Sequence, residues 1–360
     1  MKIGIVTQPL IVNYGGLLQN FALQQVLKEM GHTPVTLDYM SGLTGFTFVY
    51  RQMRRAVSYM LGRWPEFLYP YKEGRSNREI IAFVEQHINT THTFWGGYAP
   101  SLVDRYELDA VVVGSDQVWR PMYNRHLYDM FLDFCRKKNI LKIAYGASFA
   151  TSEWEYTARQ AKKCTELLKD FSAVSVRESS GLELLRRLGC NDACVVADPT
   201  ILLGRRGFDK NLFGNDSPVE RCNYLGAYVL DPGAECRAAL EAKKKSLGLE
   251  SVKVHELGNN ETGPVQWIDT IRRASFFVTD SFHGTIFCLL YHVPFVTVIN
   301  ETRGAARFRS ILEPLGLEKN LVHRFEDIKE IGCDVDWSKV DGFFAAQRAE
   351  SLAFLRKYFG

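Results

Sequence analysis

Short apolar runs rich in valine and isoleucine alternate with helix-like segments along the whole chain. Runs of this kind suit strands that are buried on both faces, and their alternation with helices is typical of parallel sheets with crossover connections. We therefore predict an α/β fold. Strands are expected at residues 2–8, 34–39, 110–114, 142–146, 173–177 and 194–197 in the first half, and at residues 224–230, 252–257, 276–279 and 295–299 in the second half.

The length of the chain and one break in this pattern predict two domains. A single compact core rarely serves 360 residues. Residues 203–222 lack periodicity and contain several Gly, Asn and Asp residues, as expected of a boundary. We expect an N-terminal Rossmann-like domain over residues 1–205, a C-terminal one over residues 220–335, and a final helix within residues 336–360.

A basic and aromatic insertion is expected to interrupt the first domain over residues 41–100. Its segment 47–72 contains Arg51, Arg54, Arg55 and Arg63 among several aromatic residues. This composition suits a helical cover over the core, and it also suits peripheral contact with the cytoplasmic face of a membrane.

Charge and composition exclude several classes of protein. The 44 basic and 41 acidic residues nearly cancel, which argues against a nucleic-acid partner. No apolar stretch approaches the ~20 residues that span a bilayer, and the N-terminus resembles a first strand more than a signal peptide. The eight cysteines are scattered, as expected of buried thiols in a reducing compartment. We therefore expect a cytoplasmic protein.

Polar residues that directly follow predicted strands are the first candidates for a site, because ligands of parallel sheets bind at the carboxyl ends of strands. After the first strand, Gly15 and Gly16 precede a helix predicted over residues 17–30. They would let the backbone approach a ligand closely, although a tight turn explains the pair equally well. After the strand at 110–114, Asp116, Gln117 and Trp119 suit a sugar; alternatively, Asp116 caps a helix and Trp119 lies in the core.

Two ionisable residues follow later strands. Arg177 precedes a helix and would make an anion site there, unless it only forms a salt bridge with Glu178. His283 lies at a strand-to-helix turn, with Asp280 near enough to orient it and Gly284 opening the helix, which favours a general acid or base. Ligand spacings such as HExxH are absent from the sequence, so we predict no metal.

Five short motifs, in order across about residues 1 to 300, resemble the polysaccharide pyruvyl transferase family. They are NYGG at 13–16, GSDQVW at 114–119, SVRES at 175–179, DPT at 198–200 and TDSFHG at 279–284. The resemblance implies two Rossmann-like domains facing a cleft, similar to the GT-B glycosyltransferases, with the acceptor on the N-terminal side and the donor on the C-terminal side. It also implies phosphoenolpyruvate as donor and co-substrate, no other cofactor, and a pyruvate ketal formed on a glycan in surface polysaccharide, exopolysaccharide or capsule biosynthesis.

The resemblance matches His283 to the motif histidine of the family and Arg177 to its donor-binding arginine. We expect His283 to act as the acid and Asp116 or Asp280 to accept a hydroxyl proton. Donor contacts are further expected from Ser281, Phe282 and Gly284, and acceptor contacts from Asn13, Tyr14, Gly15, Gly16, Gln117 and Trp119.

One departure from the family pattern concerns the charge at the donor site. Many members carry an arginine two residues before the histidine, where this chain has Ser281. Arg303, Arg307 and Arg309 follow the strand at 295–299 and could supply the missing guanidinium.

Two other functions fit the same sequence. One is a GT-B-like glycosyltransferase that uses a nucleotide sugar, since fold alone does not separate the two chemistries. The other is a non-catalytic homologue that binds a glycan. Whether the acceptor is a polyprenyl-diphosphate-linked sugar or a finished polymer is left open by the sequence.

Overall fold

The computed structural model describes residues 1–11, 13–40, 77–95, 97–124, 126–214, 219–230, 235–255, 262–299, 305–330 and 334–360, with a few isolated positions between these ranges. Most of the predicted segment 47–72 and the candidate Arg303 lie outside the described residues. Four isolated positions within that segment, Met53, Val57, Met60 and Leu61, have exposed side chains.

The N-terminal half forms a six-stranded parallel sheet. Its strands lie in the order β2-β1-β5-β6-β7-β8, and a separate pair is formed by β3 and β4. Because β1 lies between β2 and β5, the strand order reverses beside it, and the switch point lies at the carboxyl ends of β1 and β5. The bounds are β1 Lys2–Val6, β2 Thr33–Thr36, β3 Tyr39–Met40, β4 Phe94–Trp95, β5 Ala110–Gly114, β6 Leu141–Ala147, β7 Ala173–Val176 and β8 Cys194–Val195.

The C-terminal half repeats this design with a five-stranded parallel sheet in the order β10-β9-β11-β12-β13. Its switch point lies between β9 and β11. The bounds are β9 Cys222–Tyr228, β10 Ser251–His255, β11 Ala274–Thr279, β12 Phe295–Val298 and β13 Leu321–Val322. The predicted α/β class with two Rossmann-like units is confirmed.

Helices connect the strands and cover the sheets. They are α1 Tyr14–Glu29, α2 Arg78–His87, α3 Ser101–Arg105, α4 Ala158–Leu168, α5 Ser180–Arg187, α6 Pro199–Phe208, α7 Cys236–Ser246, α8 Pro264–Arg273, α9 Phe282–Leu290, α10 Ala305–Leu315 and α11 Trp337–Phe359. No helix within the described ranges is long and apolar enough to cross a bilayer.

The two halves share one hydrophobic core. It joins side chains of β1 and α1 to side chains of β11 and α9, including Leu17 and Phe287. The last helix, α11, also contacts both halves: Trp337 stacks on His292 at 5.0 Å, and Phe359 packs on His32 at 5.7 Å. Burial of apolar surface between the halves therefore fixes the position of one sheet relative to the other.

Candidate active site

The carboxyl ends of both sheets open into one cleft with a volume of about 460 Å³. Loops after β1 and β5 line one side, and the loops after β9 and β11 together with helix α10 line the other, so both switch points meet here. Of the residues predicted from the sequence, those lining the cleft are Asn13, Asp116, Gln117, Asp280, Ser281, Phe282, His283 and Arg307.

His283 lies in the first turn of α9 and is held from both halves of the chain. Ser281 begins the helix, its hydroxyl accepting a hydrogen bond from the Gly284 amide at 3.3 Å. A Cβ at Gly284 would lie 2.5 Å from Thr279 Oγ1, so only glycine lets the helix approach the end of β11 this closely. His283 is 5% exposed, and its Nε2 is fully buried.

The paired glycines at the start of α1 bring the N-terminal half against this ring. Gly15 contacts the Nδ1 edge of His283, and a Cβ there would lie 2.5 Å from the ring Cγ. At Gly16 a Cβ would lie 3.2 Å from Asp116 Oδ2. The sequence predicts that these glycines let the backbone approach a ligand; in the structure they let it approach two side chains of the cleft, His283 and Asp116.

Asp198, and not Asp280, is the carboxylate that faces His283. Asp198 Oδ2 lies 3.4 Å from His283 Nε2. Asp280 accepts a hydrogen bond from the Leu230 amide at 2.8 Å and so fixes the loop after β9. Burial would raise the pKa of Asp198, but His283 and Arg177 outweigh burial and hold this pKa below its usual range.

Arg177 follows β7 and is buried beneath the cleft. Its Nη1 donates to Asp198 Oδ2 at 2.8 Å, and its guanidinium lies 4.8 Å from the centre of the Phe282 ring. Among the described residues, its Nε and Nη2 have no hydrogen-bond partner. Burial opposes the charge, but Asp198 and Glu178 outweigh burial and raise the pKa of Arg177.

Glu178 mainly binds the loop after β6 and is only a distant partner of Arg177. Its Oε2 lies 3.8 Å from Arg177 Nε, at the long end of ion-pair contact. Its Oε1 accepts hydrogen bonds from the Ser148 hydroxyl and from the amides of Phe149 and Ala150, at 2.8 to 3.1 Å. Glu178 therefore holds the loop after β6 and leaves most of the Arg177 guanidinium available.

A second guanidinium reaches the same place from α10. Arg307 is buried, and its guanidinium lies 5.3 Å from the centre of the Phe282 ring. Burial, and then the charge of Arg177, lower the pKa of Arg307 to about 10. Arg309, two residues further on, is exposed.

Asp116 occupies a strained position after β5. Its φ is 72°, in the left-handed region that non-glycine residues rarely adopt. The Gln117 amide donates to Oδ1 at 2.9 Å, and Asn13 Nδ2 donates to Oδ2 at 3.3 Å. The alternative of Asp116 as a helix cap does not apply, because a loop follows β5 here.

The sequence model of the polysaccharide pyruvyl transferase family matches residues 13–302 of the chain. The chain belongs to this family. The match spans most of both Rossmann-like units and includes Asp116, Arg177, Asp198 and His283. The polysaccharide pyruvyl transferases are a family of transferases, so membership supports an enzyme.

Comparison with solved structures shows the fold of this pyruvyl transferase family member. The UDP-GlcNAc 2-epimerase from Methanocaldococcus jannaschii is similar with a TM-score of 0.51 at 11% identity, over 99% of this chain and 100% of that chain. A glycosyltransferase from Rickettsia africae ESF-5 has a TM-score of 0.49 at 10% identity, over 98% of this chain and 93% of that chain. The likeness to the epimerase shows the fold, which is of the GT-B type with two Rossmann-like units. A comparison with curated protein sequences found no match.

Two residues expected to contact the acceptor lie in the core of this pyruvyl transferase family member. Trp119 is fully buried, donates to the Met130 carbonyl at 2.9 Å and stacks on Phe131. Tyr14 is also fully buried and donates to the Thr262 carbonyl at 2.8 Å. The alternative role considered for Trp119, a core residue, matches its place, because its one polar atom is already bonded.

Sequence reasoning missed Asp198 and several residues that line the cleft, Gln8 and Tyr123 among them. Asp198 was part of a family motif but received no role, although its place just after β8 and before Pro199 is that of a helix cap. Gln8 and Tyr123 line the cleft, and Gln8 donates to Asn124 Oδ1 at 2.9 Å. Gln8 lies two residues after β1, so the same strand-end rule could have found it. Within the described residues, no group of three metal-ligating side chains could hold an ion.

Proposed function

We propose that this enzyme transfers a pyruvyl group from phosphoenolpyruvate onto two hydroxyls of a sugar and forms a pyruvate ketal in polysaccharide biosynthesis. The proposal is supported by membership of the polysaccharide pyruvyl transferase family. It is further supported by the charged groups at the base of the cleft.

The observation that carries the proposal is the meeting of Arg177 and Arg307 at Phe282. Both guanidiniums are buried and lie 4.8 and 5.3 Å from the same ring centre. Arg177 Nε and Nη2 have no hydrogen-bond partner among the described residues, so a second guanidinium beside them makes a place that suits an anion. Phosphoenolpyruvate offers a phosphate and a carboxylate, both of which bind guanidinium through paired hydrogen bonds.

His283 is the proposed acid. A proton passes from its imidazolium to the methylene carbon of phosphoenolpyruvate and leaves a cation at C2, which a sugar hydroxyl attacks. The carbon–oxygen bond to phosphate then breaks, inorganic phosphate leaves, and a second hydroxyl closes the ketal. Each hydroxyl loses one proton, for which Asp116 and Asp280 are the candidate acceptors at the cleft wall.

The donor site in this proposal combines both halves of the chain. Arg177 comes from the N-terminal sheet, whereas Arg307 and His283 come from the C-terminal half. The sugar would then contact the outer cleft, where Asn13 and Gln117 supply hydrogen-bonding groups.

Peripheral contact with a membrane is a separate proposal, and it would bring a lipid-linked acceptor within reach. Met53, Val57, Met60 and Leu61 recur at the spacing of one helical face, and each side chain is at least half exposed. Replacing Met53 and Met60 by aspartate should weaken sedimentation with anionic vesicles while leaving turnover of a water-soluble acceptor unchanged. Equal sedimentation of both proteins would exclude this surface.

The function is tested by phosphate release from phosphoenolpyruvate with a panel of galactosides and mannosides, some of them lipid-linked. Wild type and His92→Ala, which changes an exposed histidine, should release phosphate in the presence of the right sugar, and His283→Ala should not. The product should be heavier than the sugar by pyruvic acid less one water.

The two alternative functions predict different results in the same experiments. If no sugar induces phosphate release, and nucleotide sugars but not phosphoenolpyruvate raise the unfolding temperature, the enzyme is a glycosyltransferase. Protection by a glycan alone, without turnover, would indicate the non-catalytic homologue.

A further inference from the structure

Asp198 lies where four elements of the fold meet. Its Oδ1 accepts hydrogen bonds from the amide and the hydroxyl of Thr200, at 2.9 and 2.7 Å, at the start of α6. Its Oδ2 faces Arg177 Nη1 at 2.8 Å, the Ser115 hydroxyl at 3.3 Å and His283 Nε2 at 3.4 Å. Oδ1 therefore fixes the carboxylate to the start of α6, and Oδ2 contacts the side chains at the cleft.

We propose that Asp198 is a positioning residue that holds His283 through Nε2–H and leaves Nδ1 as the nitrogen that transfers the proton. This role rests on the proposed function, because it assigns the proton transfer to His283. In the neutral ring Nε2 then carries the hydrogen, and in the imidazolium Nδ1 carries the proton that the donor receives.

Burial gives this contact its strength. Asp198 is 1% exposed, and His283 Nε2 is fully buried with no hydrogen-bond partner among the described residues, so the carboxylate at 3.4 Å faces this nitrogen without competition from water. The cap at Thr200 prevents the carboxylate from turning away, since rotation would break two hydrogen bonds. A carboxylate held beside an imidazole stabilises the positive charge that a general acid carries.

The same carboxylate also orients Arg177. Because Arg177 and His283 contact one oxygen atom, the acid and a proposed donor ligand are held in a fixed relation. His283 belongs to the C-terminal half, whereas Asp198 and Arg177 belong to the N-terminal half, so the contact also sets the distance across the cleft.

Asp198→Asn removes the charge and keeps the helix cap, because asparagine caps helices as well as aspartate. We expect kcat to fall about 10²-fold, the size of a general-acid contribution. The alkaline limb of the pH profile should move to lower pH, because the negative charge beside His283 Nε2 is lost. Ser115→Ala is the matched control, since it removes one hydrogen bond to the same oxygen but keeps the charge; it should keep the wild-type pH profile.

A purely structural Asp198 would lower the folded fraction and leave the pH profile of the folded enzyme unchanged. An Asp198→Asn enzyme with wild-type kcat and an unmoved alkaline limb overturns the proposal.

A last experiment tests the tautomer of His283 directly and requires neither turnover nor Asp198→Asn. In protein labelled with 15N-histidine, the His283 signals are identified by comparison with His283→Gln. Above neutral pH they should show a protonated Nε2 and an unprotonated Nδ1. The opposite tautomer, or an even mixture, would refute the role of Asp198 whatever the substrate is. A correct tautomer without phosphate release would instead count against pyruvyl transfer alone.

Discussion

Replacing Gly15 by alanine tests how closely the two halves must approach at His283. A Cβ at Gly15 would lie 2.5 Å from Cγ and 2.9 Å from Cε1 of the His283 ring. Carbon atoms in contact are about 3.5 to 4.0 Å apart, so the ring must move by about 1 Å. A displacement of about 1 Å from reacting geometry can lower a rate by about 10²-fold. We therefore expect Gly15→Ala to lose about 10²-fold in kcat.

We expect Gly15→Ala to have only a small effect on the free energy of unfolding, in contrast to its effect on kcat. Alanine is favoured over glycine inside a helix by about 1 kcal/mol, which offsets part of the cost of moving the ring. Gly342→Ala is the matched control, because Gly342 lies within α11 and a Cβ there meets no atom within 4 Å. It should gain stability from helix propensity and keep the wild-type rate.

The assay is the initial rate of phosphate release at saturating phosphoenolpyruvate and acceptor, with thermal unfolding measured on the same samples. A Gly15→Ala enzyme that turns over at the wild-type rate would mean that His283 tolerates displacement, and the geometric argument would fail. Loss of activity in Gly342→Ala would show instead that any glycine replacement is harmful.

Three further predictions concern single side chains. Asp198→Asn should lower the free energy of unfolding at pH 7 by about 3 kcal/mol, because it breaks a buried ion pair. The pKa of Asp198 is held low in the folded state, so its contribution is present above the unfolded pKa of about 3.9, and urea denaturation should show the difference shrinking as the pH falls below that value. Arg307→Ala should weaken phosphoenolpyruvate binding about 10- to 100-fold in calorimetry, since a charge-assisted hydrogen bond contributes about 1.5 to 3 kcal/mol; the exposed Arg324→Ala should bind normally, and equal affinities would exclude Arg307. Trp119→Phe should lower stability by about 1 to 3 kcal/mol through the unpaired Met130 carbonyl and leave the KM for the sugar unchanged, whereas a raised KM would restore Trp119 to the acceptor site.

The strands of the fold could be predicted because burial on both faces leaves a direct mark on the sequence. The run at residues 110–114 was predicted with the bounds that the structure has, since a valine-rich strand in the middle of a sheet tolerates little else. The candidate site residues after β5, β7 and β11 could also be predicted, because each polar cluster directly follows an apolar run.

The start of α1 could not be predicted in this way. The glycine pair indicated a turn, and the helix was expected from residue 17, whereas it begins at Tyr14. Tyr14 stacks on Tyr228 at 5.8 Å and packs on Trp267 at 5.9 Å, both from the C-terminal half. Tertiary packing therefore overcomes the low helix propensity of two glycines, and that packing leaves no local signal.

The carboxylate that faces His283 was missed for a related reason. Asp280 is three residues from the histidine in sequence, and proximity in sequence favoured it. The residue in contact is Asp198, which lies in the other half of the chain and reaches the histidine only once the two sheets share a core. Residues that meet across a domain cleft cannot be paired from one sequence by spacing alone.

The residue at position 281 shows how a local requirement and a charge requirement can be met in different places. The Ser281 hydroxyl accepts a hydrogen bond from the Gly284 amide and so caps the N-terminus of α9. Serine is well suited to this capping role and arginine is not. A positive charge at the first turn of a helix is also disfavoured by the helix dipole. Arg307 lies on α10, and its guanidinium reaches the ring of Phe282, the residue next to Ser281. The positive charge is therefore supplied without placing an arginine at the first turn of α9. The departure from the family pattern at Ser281 is thus compatible with an anionic donor, provided that Arg307 binds it.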